Sequence, residues 1–541
     1  MTAGIGTTPI APPSTAAPAA PAGAPMWWGA LMGVLAAALG LGVAEMVAGT
    51  SRSLASPVVS IGDRVIDRVP AGIKQLAIDW FGTNDKTALV IGILAVLGIL
   101  AALVGIATVR GRRDIAIGGA VVLGVVGILA SSTGRNTRVI GAIPSLVGAG
   151  VAGAVLLVAH RIACPPPGQR PAGDSAGDTD EPRPLPAMGP DRRTLLITGT
   201  GVAAAAVLTG SLGRFMHRRL SNAADRAGVA LPAVDVALPN PPADPALGIA
   251  GLTPLFVPNT SFYRIDTALV VPSVTLGSWR LRVTGMVERE LEFTFDDLLA
   301  LPQVEADITI SCVSNEVGGD LVGNARWQGV RLDDLLSGAG ISPDADQIVG
   351  RSVDGFTAGF PTAALDGRNA LVALAMNGEP LPTRHGFPAR LVVPGLYGYV
   401  SATKWLSAIE LTRFDQFEGY WVPRGWSALA PVKTQSRIDR PGGKIAAGRT
   451  AVAGVAWAPT RGISTVAVRI DEEPWREATL GPSVGDDSWR QWWIDWDATP
   501  GRHVLMCRAT DGTGETQTEA RSRPDPDGAT GWHTVTVTVD G

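Results

Sequence analysis

The chain has 541 residues, enough for several domains with cores of their own. It carries 45 Lys and Arg against 49 Asp and Glu, a net charge of −4, which argues against a nucleic-acid-binding surface. Its 3 cysteines, Cys164, Cys312 and Cys507, are dispersed and form no CxxC pair, so no disulfide framework, structural zinc, iron–sulfur cluster or c-type haem is expected.

Hydrophobic residues make up 46% of the chain, and the excess lies before residue 215. Residues 1–26 are rich in Pro, Ala, Gly and Thr and read as a disordered tail. Five apolar runs follow near 27–48, 87–109, 115–132, 139–159 and 194–212. Each is about the ~20 residues that cross a bilayer as a helix. All are rich in Gly and Ala, which suits close helix packing in lipid. Residues 27–213 are therefore expected to form an α-helical membrane anchor with five spans, interrupted by a Pro/Asp/Gly-rich linker at 163–191. No pair of histidines lies inside the runs to clamp a b-type haem, and Glu45 reads as an interfacial carboxylate.

Arginine placement orients the anchor. Arg110, Arg112 and Arg113 in one loop, and Arg192 and Arg193 before the last run, are best placed in the cytoplasm. That puts the N-terminus inside and the C-terminal bulk outside, in the plasma membrane. The loop 49–86 then lies outside, although it too carries basic residues. Its apolar positions Ile66, Val69, Ile73, Leu76, Ala77 and Trp80 predict an amphipathic helix on the outer membrane surface. The segment Arg192-Arg193-Thr194-Leu195-Leu196-Ile197 resembles a twin-arginine export signal, which would carry a folded, cofactor-loaded domain across.

From about residue 243 the composition is that of a water-soluble protein. Strand-like runs at 279–287, 307–312, 347–353 and 390–393, with helical patterns at 295–300 and 332–338, predict an α+β domain over 243–430. After 442 the pattern is all-β. Alternating runs at 452–457, 464–471, 489–496, 503–510 and 533–539 predict an immunoglobulin-like sandwich over 440–541. Trp489, Trp492, Trp493 and Trp496 read as alternating strand faces at an interface rather than a ligand platform.

Cys312 ends an apolar strand and is followed by a polar, Gly-rich loop. A thiolate there can project into a loop-built pocket and bind a soft metal, although spacing alone also fits a buried structural thiol. The surrounding motifs carry more. Residues 311–336, with Ser311-Cys312-Val313-Ser314-Asn315-Glu316 and Arg326-Trp327-Gln328-Gly329, resemble the molybdenum-binding core of the sulfite oxidase family. So does His385-Gly386-Phe387-Pro388-Ala389-Arg390, followed by Lys404-Trp405-Leu406. Pro258-Asn259-Thr260-Ser261-Phe262-Tyr263 is similar to a cofactor-contacting segment of periplasmic methionine sulfoxide reductase catalytic subunits, and the all-β tail resembles the family's dimerisation domain.

The resemblance implies one molybdenum-pyranopterin with Cys312 as protein ligand, and the sequence offers no motif for a haem or iron–sulfur cluster beside it. It implies that Asn259, Phe262, Tyr263, His385, Arg390 and Lys404 hold the pterin and its phosphate, with Ser352, Ser401, Ala402 and Thr403 around them. Arg390 and Lys404 suit a phosphate as a bidentate fork and a point charge, and His385 is expected to donate to the pterin or phosphate. The expected reaction is two-electron oxygen-atom transfer. Partners would be the membrane, a small-molecule substrate, a separate electron carrier and a second copy through the C-terminal domain. Two arginine segments of sulfite oxidases are replaced here by Pro258-Asn259-Thr260 and Ser314-Asn315-Glu316. Glu316 near the metal would repel sulfite, with Arg326 as the compensating cation. An uncharged S-oxide or N-oxide, or another small oxyanion, fits no worse than sulfite. A catalytically degenerate scaffold is the non-enzymatic alternative.

Overall fold

The computed structural model describes residues 24–51, 54, 56–70, 73, 76, 80–81, 84–132, 139–164, 192–219, 222–235, 237–242 and 248–541. The N-terminal tail (save its last residues), Ala77 and most of the 163–191 linker lie outside them. The chain divides into two compact units, Met1–Arg219 and Leu220–Gly541.

The first unit is helical: α1 (Met26–Ala48), α2 (Pro57–Arg68), α3 (Asp85–Val109), α4 (Arg113–Ser132), α5 (Ile143–Ala163) and α6 (Arg192–Arg219). All but α2 are long and apolar enough to cross a membrane. α5 starts later than the apolar pattern suggests. A 3-10 turn at Val139–Ala142 comes first, and Pro144 then sets the helix start, where its missing N–H costs nothing. α2 is capped by Ser56, whose Oγ accepts from Val59 N at 3.4 Å. It ends ahead of Pro70, so the amphipathic element begins earlier than expected; Ile73, Leu76 and Trp80 are helical and exposed beyond it.

α1 packs against α3, α5 and α6. Glycine makes the closeness possible. A Cβ on Gly33 would lie 2.0 Å from the Ala101 carbonyl oxygen, and one on Gly105 2.1 Å from that of Gly29. The Trp28 indole donates to Leu195 O at 3.4 Å, joining the start of α1 to α6.

The second unit opens with α7 (Ala223–Ala227) and continues through β1 (Leu281–Gly285), β2 (Leu291–Phe293), α8 (Phe295–Ala300), β3 (Val304–Ser311), β4 (Val322–Arg331), α9 (Leu332–Ser337), β5 (Gln347–Ser352), β6 (Thr357–Pro361), β7 (Leu371–Met376), β8 (Glu379–Pro380), β9 (Arg390–Val392), α10 (Gly398–Ser401) and β10 (Leu406–Thr412). One sheet runs β2-β1-β10-β5-β6, with β1 parallel to β10. A second runs β3-β4-β7-β8, with β9 on β7. Thr294 and Asp297 close a capping box that starts α8, and Phe295 and Leu298 drop into the core with Trp279, Leu332 and Phe360.

The C-terminal part is all-β: β11 (Gln435–Arg440), β12 (Gly443–Ala446), β13 (Gly448–Trp457), β14 (Ile463–Ile470), β15 (Arg476–Glu477), β16 (Thr479–Leu480), β17 (Arg490–Ala498), β18 (Gly501–Asp511) and β19 (His533–Asp540). Sheets β11-β13-β17-β16 and β12-β19-β18-β14-β15 enclose one core of Val452, Val466, Trp492, Leu505 and Val537. Along β17, Trp492 and Trp496 are buried while Trp493 is half-buried, the period-2 pattern of a strand with one inner face.

The helical unit's close contacts give a direct test. Gly33→Leu should drive α1 from α3, since the side chain would enter the Ala101 carbonyl. The purified protein should lose about 1–3 kcal/mol of stability to overpacking, read as a lower unfolding midpoint. An unchanged midpoint would contradict this packing.

Candidate active site

β3 delivers the thiol. Residues 306–311 are all buried, so the strand is held on both faces up to Ser311. The chain turns at Cys312, whose N–H donates to Leu321 O at 2.9 Å and whose carbonyl accepts from Asn315 N at 3.1 Å. The Asn315 side chain closes the loop by accepting from Leu321 N at 2.8 Å.

Cys312 is 8% exposed and lines an open cleft together with Phe262, Tyr263, Ser352, His385, Arg390 and Lys404. Gly386 makes part of this convergence possible. Its φ is +115°, and a Cβ there would stand 3.1 Å from Arg390 Cβ and 3.2 Å from Lys404 Cα, so only glycine lets the turn after His385 run this close to both cations. Burial pushes the Cys312 thiol's pKa up, and hydrogen bonds from Ser314 and the charge of Lys404 oppose that rise.

Arg390 is 4% exposed. Its Nη1 donates to His385 O at 3.2 Å and its guanidinium lies 4.8 Å from the Trp327 ring centroid. Its Nε has no hydrogen-bond partner, and no carboxylate among the described residues pairs with it. Burial brings its pKa down to about 10. A buried guanidinium with an idle donor is the observation expected where an anion completes the site.

Lys404 is mostly buried, its side chain 11% exposed, and burial brings its pKa down to about 8 although Asp266 opposes the fall. Its Nζ donates to Asp266 Oδ2 at 2.8 Å and Ile265 O at 3.0 Å. Arg264 grips the same carboxylate, Nε to Oδ2 at 2.6 Å. Asp266 was not foreseen from the sequence, since only the fold brings it to Lys404.

His385 is 1% exposed, and its ring lies 3.0 Å through Nε2 from the Asn259 carbonyl. A carbonyl only accepts, so Nε2 carries the proton. Burial, then the charge of Arg390, lowers the His385 pKa to about 3, so the ring is neutral and Nδ1 is an acceptor. The expected donor to pterin or phosphate is thus an acceptor at its free nitrogen. Burial raises the Tyr263 pKa well above the ordinary phenol value, which keeps its hydroxyl protonated and able to donate.

Three expected residues stand behind the lining. Asn259 donates through Nδ2 to Met376 O at 3.0 Å and accepts from Asn377 Nδ2 at 2.9 Å, and its carbonyl orients His385. Ser401 donates to the Leu396 and Tyr397 carbonyls, and Thr403 faces Gly350 O. Ala402 does line the cleft. Glu316 does not. It lines a separate pocket with Arg521 and Arg523, because the chain has turned at Asn315. Arg326 cannot compensate for a missing substrate arginine either: Nε and Nη2 grip the two oxygens of Asp307, each at 2.8 Å. The remaining wall, Phe356, Tyr399, Trp405, Trp421 and Trp426, was not assigned from sequence. Its signal was the aromatic density of Tyr420, Trp421 and Trp426 in one loop.

Among the described residues no group of three His, Cys, Asp or Glu side chains could hold a metal unaided. One thiolate beside a buried and a mostly buried cation instead suits a metal that brings its own sulfur ligands on an anionic organic group. Residues 268–421 match the family model described as "Oxidoreductase molybdopterin binding domain". "Uncharacterized oxidoreductase YuiH" of Bacillus subtilis (strain 168) is 35% identical over 167 residues, spanning 31% of this chain and 81% of that protein. Mitochondrial sulfite oxidase of Mus musculus is 28% identical over 309 residues, 47% of this chain and 56% of that one. The chain belongs to the sulfite oxidase family of molybdopterin oxidoreductases.

This family member spans little more than half the length of the mouse enzyme. The sulfane dehydrogenase SoxCD of Paracoccus pantotrophus aligns structurally over 53% of this chain and 84% of that chain, with TM-score 0.46 and 22% identity. As a molybdenum-dependent oxidoreductase, the protein fits its cofactor's needs at two points: the thiol of Cys312 and the idle donor of Arg390.

The neutral His385 predicts a pH effect. With its pKa lowered from 6.5 to about 3, the unfolded chain binds a proton in that interval that the folded protein does not. Stability contributed here is therefore present above the upper value and lost as pH falls through the window. His385→Gln keeps a donor for the Asn259 carbonyl and removes the titration. Its unfolding free energy, followed downward from neutral pH, should decline less steeply than that of the wild type.

Proposed function

We propose that this oxidoreductase is a membrane-anchored enzyme that catalyses two-electron oxygen-atom transfer on a small uncharged S-oxide or N-oxide outside the cytoplasm. The observation that carries the reading is a single cleft holding the Cys312 thiol and a buried Arg390 that pairs with no carboxylate among the described residues. The bound molybdenum-pyranopterin would supply the redox chemistry. Cys312 binds the metal as thiolate. Arg390 and Lys404 hold the pterin phosphate, Tyr263 donates from its phenol, and His385 accepts at Nδ1. Phe262 packs edge-on to His385 at 5.7 Å between centroids and holds that ring in place. Ser352 stands at the wall. Asn259, Ser401 and Thr403 serve from behind, by fixing the backbone that carries the lining.

The substrate class follows from charge. The cations lining the cleft are Arg390 and Lys404, both committed to the cofactor, while Arg326 is bound to Asp307. An aromatic wall with the carboxylate of Asp354 favours a neutral substrate over sulfite. The five apolar helices of 27–213 would anchor the protein in the plasma membrane. The catalytic domain over 243–430 and an immunoglobulin-like sandwich over 440–541 would lie outside, exported by Arg192-Arg193 acting as a twin-arginine signal. Electrons would come from a separate carrier, and the sandwich would be the face for a second copy. A scaffold that has lost its chemistry is the competing reading, and metal content separates the two.

The test is purification from membranes followed by molybdenum and pterin analysis and a screen of S-oxides, N-oxides and sulfite. Near-stoichiometric metal with turnover of a neutral oxide is expected; a metal-free, stable protein would favour the scaffold, and turnover of sulfite alone would overturn the substrate assignment. Arg390→Met should lower pterin occupancy roughly 10-fold or more, the scale of a lost charge-assisted hydrogen bond of about 1.5–3 kcal/mol. Cys312→Ser should retain the pterin and lose turnover. Full activity in that variant would remove the metal-ligand role.

A further inference from the structure

The loop that presents Cys312 is held from outside its own domain. Thr309, on the edge strand β3 and three residues ahead of the thiol, donates its N–H to Asp487 O at 2.9 Å. Its hydroxyl accepts from Trp489 N at 2.8 Å and donates to Asn324 Oδ1 at 3.0 Å. Asp487 and Trp489 belong to the C-terminal part, just ahead of β17. The Trp489 indole and the Asn324 amide both donate to Leu255 O, at 2.8 and 3.0 Å, so one network ties strand, sandwich and N-terminal segment together.

A second hold lies beyond the thiol. Arg437 on β11 is 9% exposed and uses its whole fork. Nη1 donates to Gly319 O at 2.9 Å, Nη2 to Thr253 Oγ1 at 2.9 Å, and Nε to Asp439 Oδ1 at 2.6 Å. Asp439 also accepts from Thr253 N at 3.1 Å, which fixes the direction of the fork. The ring of His533, from β19, lies against Gly318: a Cβ on that glycine would come within 2.2 Å of it, and its φ of +82° is one that side-chain-bearing residues rarely adopt. Between the two holds, Val313 sits in one hydrophobic core with Val455, Trp457 and Trp489 of the sandwich.

We propose that the β sandwich is a positioning element for the Cys312 loop, and that Arg437 is the residue through which it sets the orientation of the sulfur. This rests on Cys312 being the metal ligand and goes beyond reading the sandwich as a subunit interface. Metal–thiolate bonding depends on the angle at which the sulfur approaches, so groups that fix the ligand's backbone tune the centre without touching it. The loop's own hydrogen bonds, Cys312 to Leu321 and Asn315 to both, close it on itself but leave it free to tilt. Gly319 and Gly318, gripped by Arg437 and His533, remove that freedom.

The test uses the full chain in detergent, with and without its cofactor, and reads amide exchange peptide by peptide. Arg437→Lys keeps a cation beside Asp439 but cannot span three acceptors. Exchange across 312–321 should rise about 10-fold or more while β17 and β18 keep wild-type protection. In the loaded protein the sulfur-to-metal absorption band should shift. Arg449→Lys, at an exposed ion pair of the same sandwich, is the control and should change neither. Unchanged exchange in 312–321 would overturn the proposal, as would a rise spread evenly through the sandwich, which marks a merely structural role. Should Arg437→Lys fail to fold, His533→Ala is read the same way and decides. Exchange in the cofactor-free chain needs no molybdenum, so a wild type that binds none would sink the ligand role of Cys312 and leave the clamp itself measured separately.

Discussion

Arg390 carries a positive charge where water scarcely reaches, and among the described residues no carboxylate pairs with it. Isolated charge of this kind is costly inside a protein, and a fold tolerates it only where something else completes the balance. Much around the cleft can be understood from this. His385 stays neutral first because burial disfavours its charged form and then because Arg390 beside it is already positive. Lys404, by contrast, is given Asp266, and Asp266 is given Arg264, so that cation is largely satisfied within the chain. The two positive groups are thus unequal: Arg390 has a donor wholly free for an external anion, whereas Lys404 would share its charge between that anion and Asp266.

The sequence was informative where chemistry follows locally from residue type and poorly informative where it follows from the path of the chain. Five apolar runs marked five long helices, with boundaries shifted where Pro144 or a polar extension decided the end. The cysteine, the histidine and both cations of the cleft could be named from short motifs. What could not be read was which side of the backbone a neighbour takes. Asn259 sits in the right segment but spends its side chain on Met376 and Asn377. Glu316 is close to Cys312 along the chain and yet lines another pocket. Asp266 pairs with Lys404 across a large sequence separation that no local pattern encodes.

The sandwich shows the same division. Its strands were visible as alternation, and Trp492 and Trp496 follow that rule. Trp489 does not belong to the sandwich core at all. It lies ahead of β17 and joins Leu255, Val313 and Tyr399. One tryptophan of a run that looked uniform is therefore part of the catalytic half's packing, and the boundary between the two parts is a shared core rather than a surface.

The arrangement of the helical unit bears on how the protein is made. α1 leaves the ribosome first, yet it rests against α6, which leaves last of the six. A helix whose neighbour has not been synthesised keeps its Gly- and Ala-lined face unpaired until that neighbour arrives. The bundle can close only when translation has passed Arg219, so the assembly of the helices is timed to the same stretch of synthesis that begins the second unit.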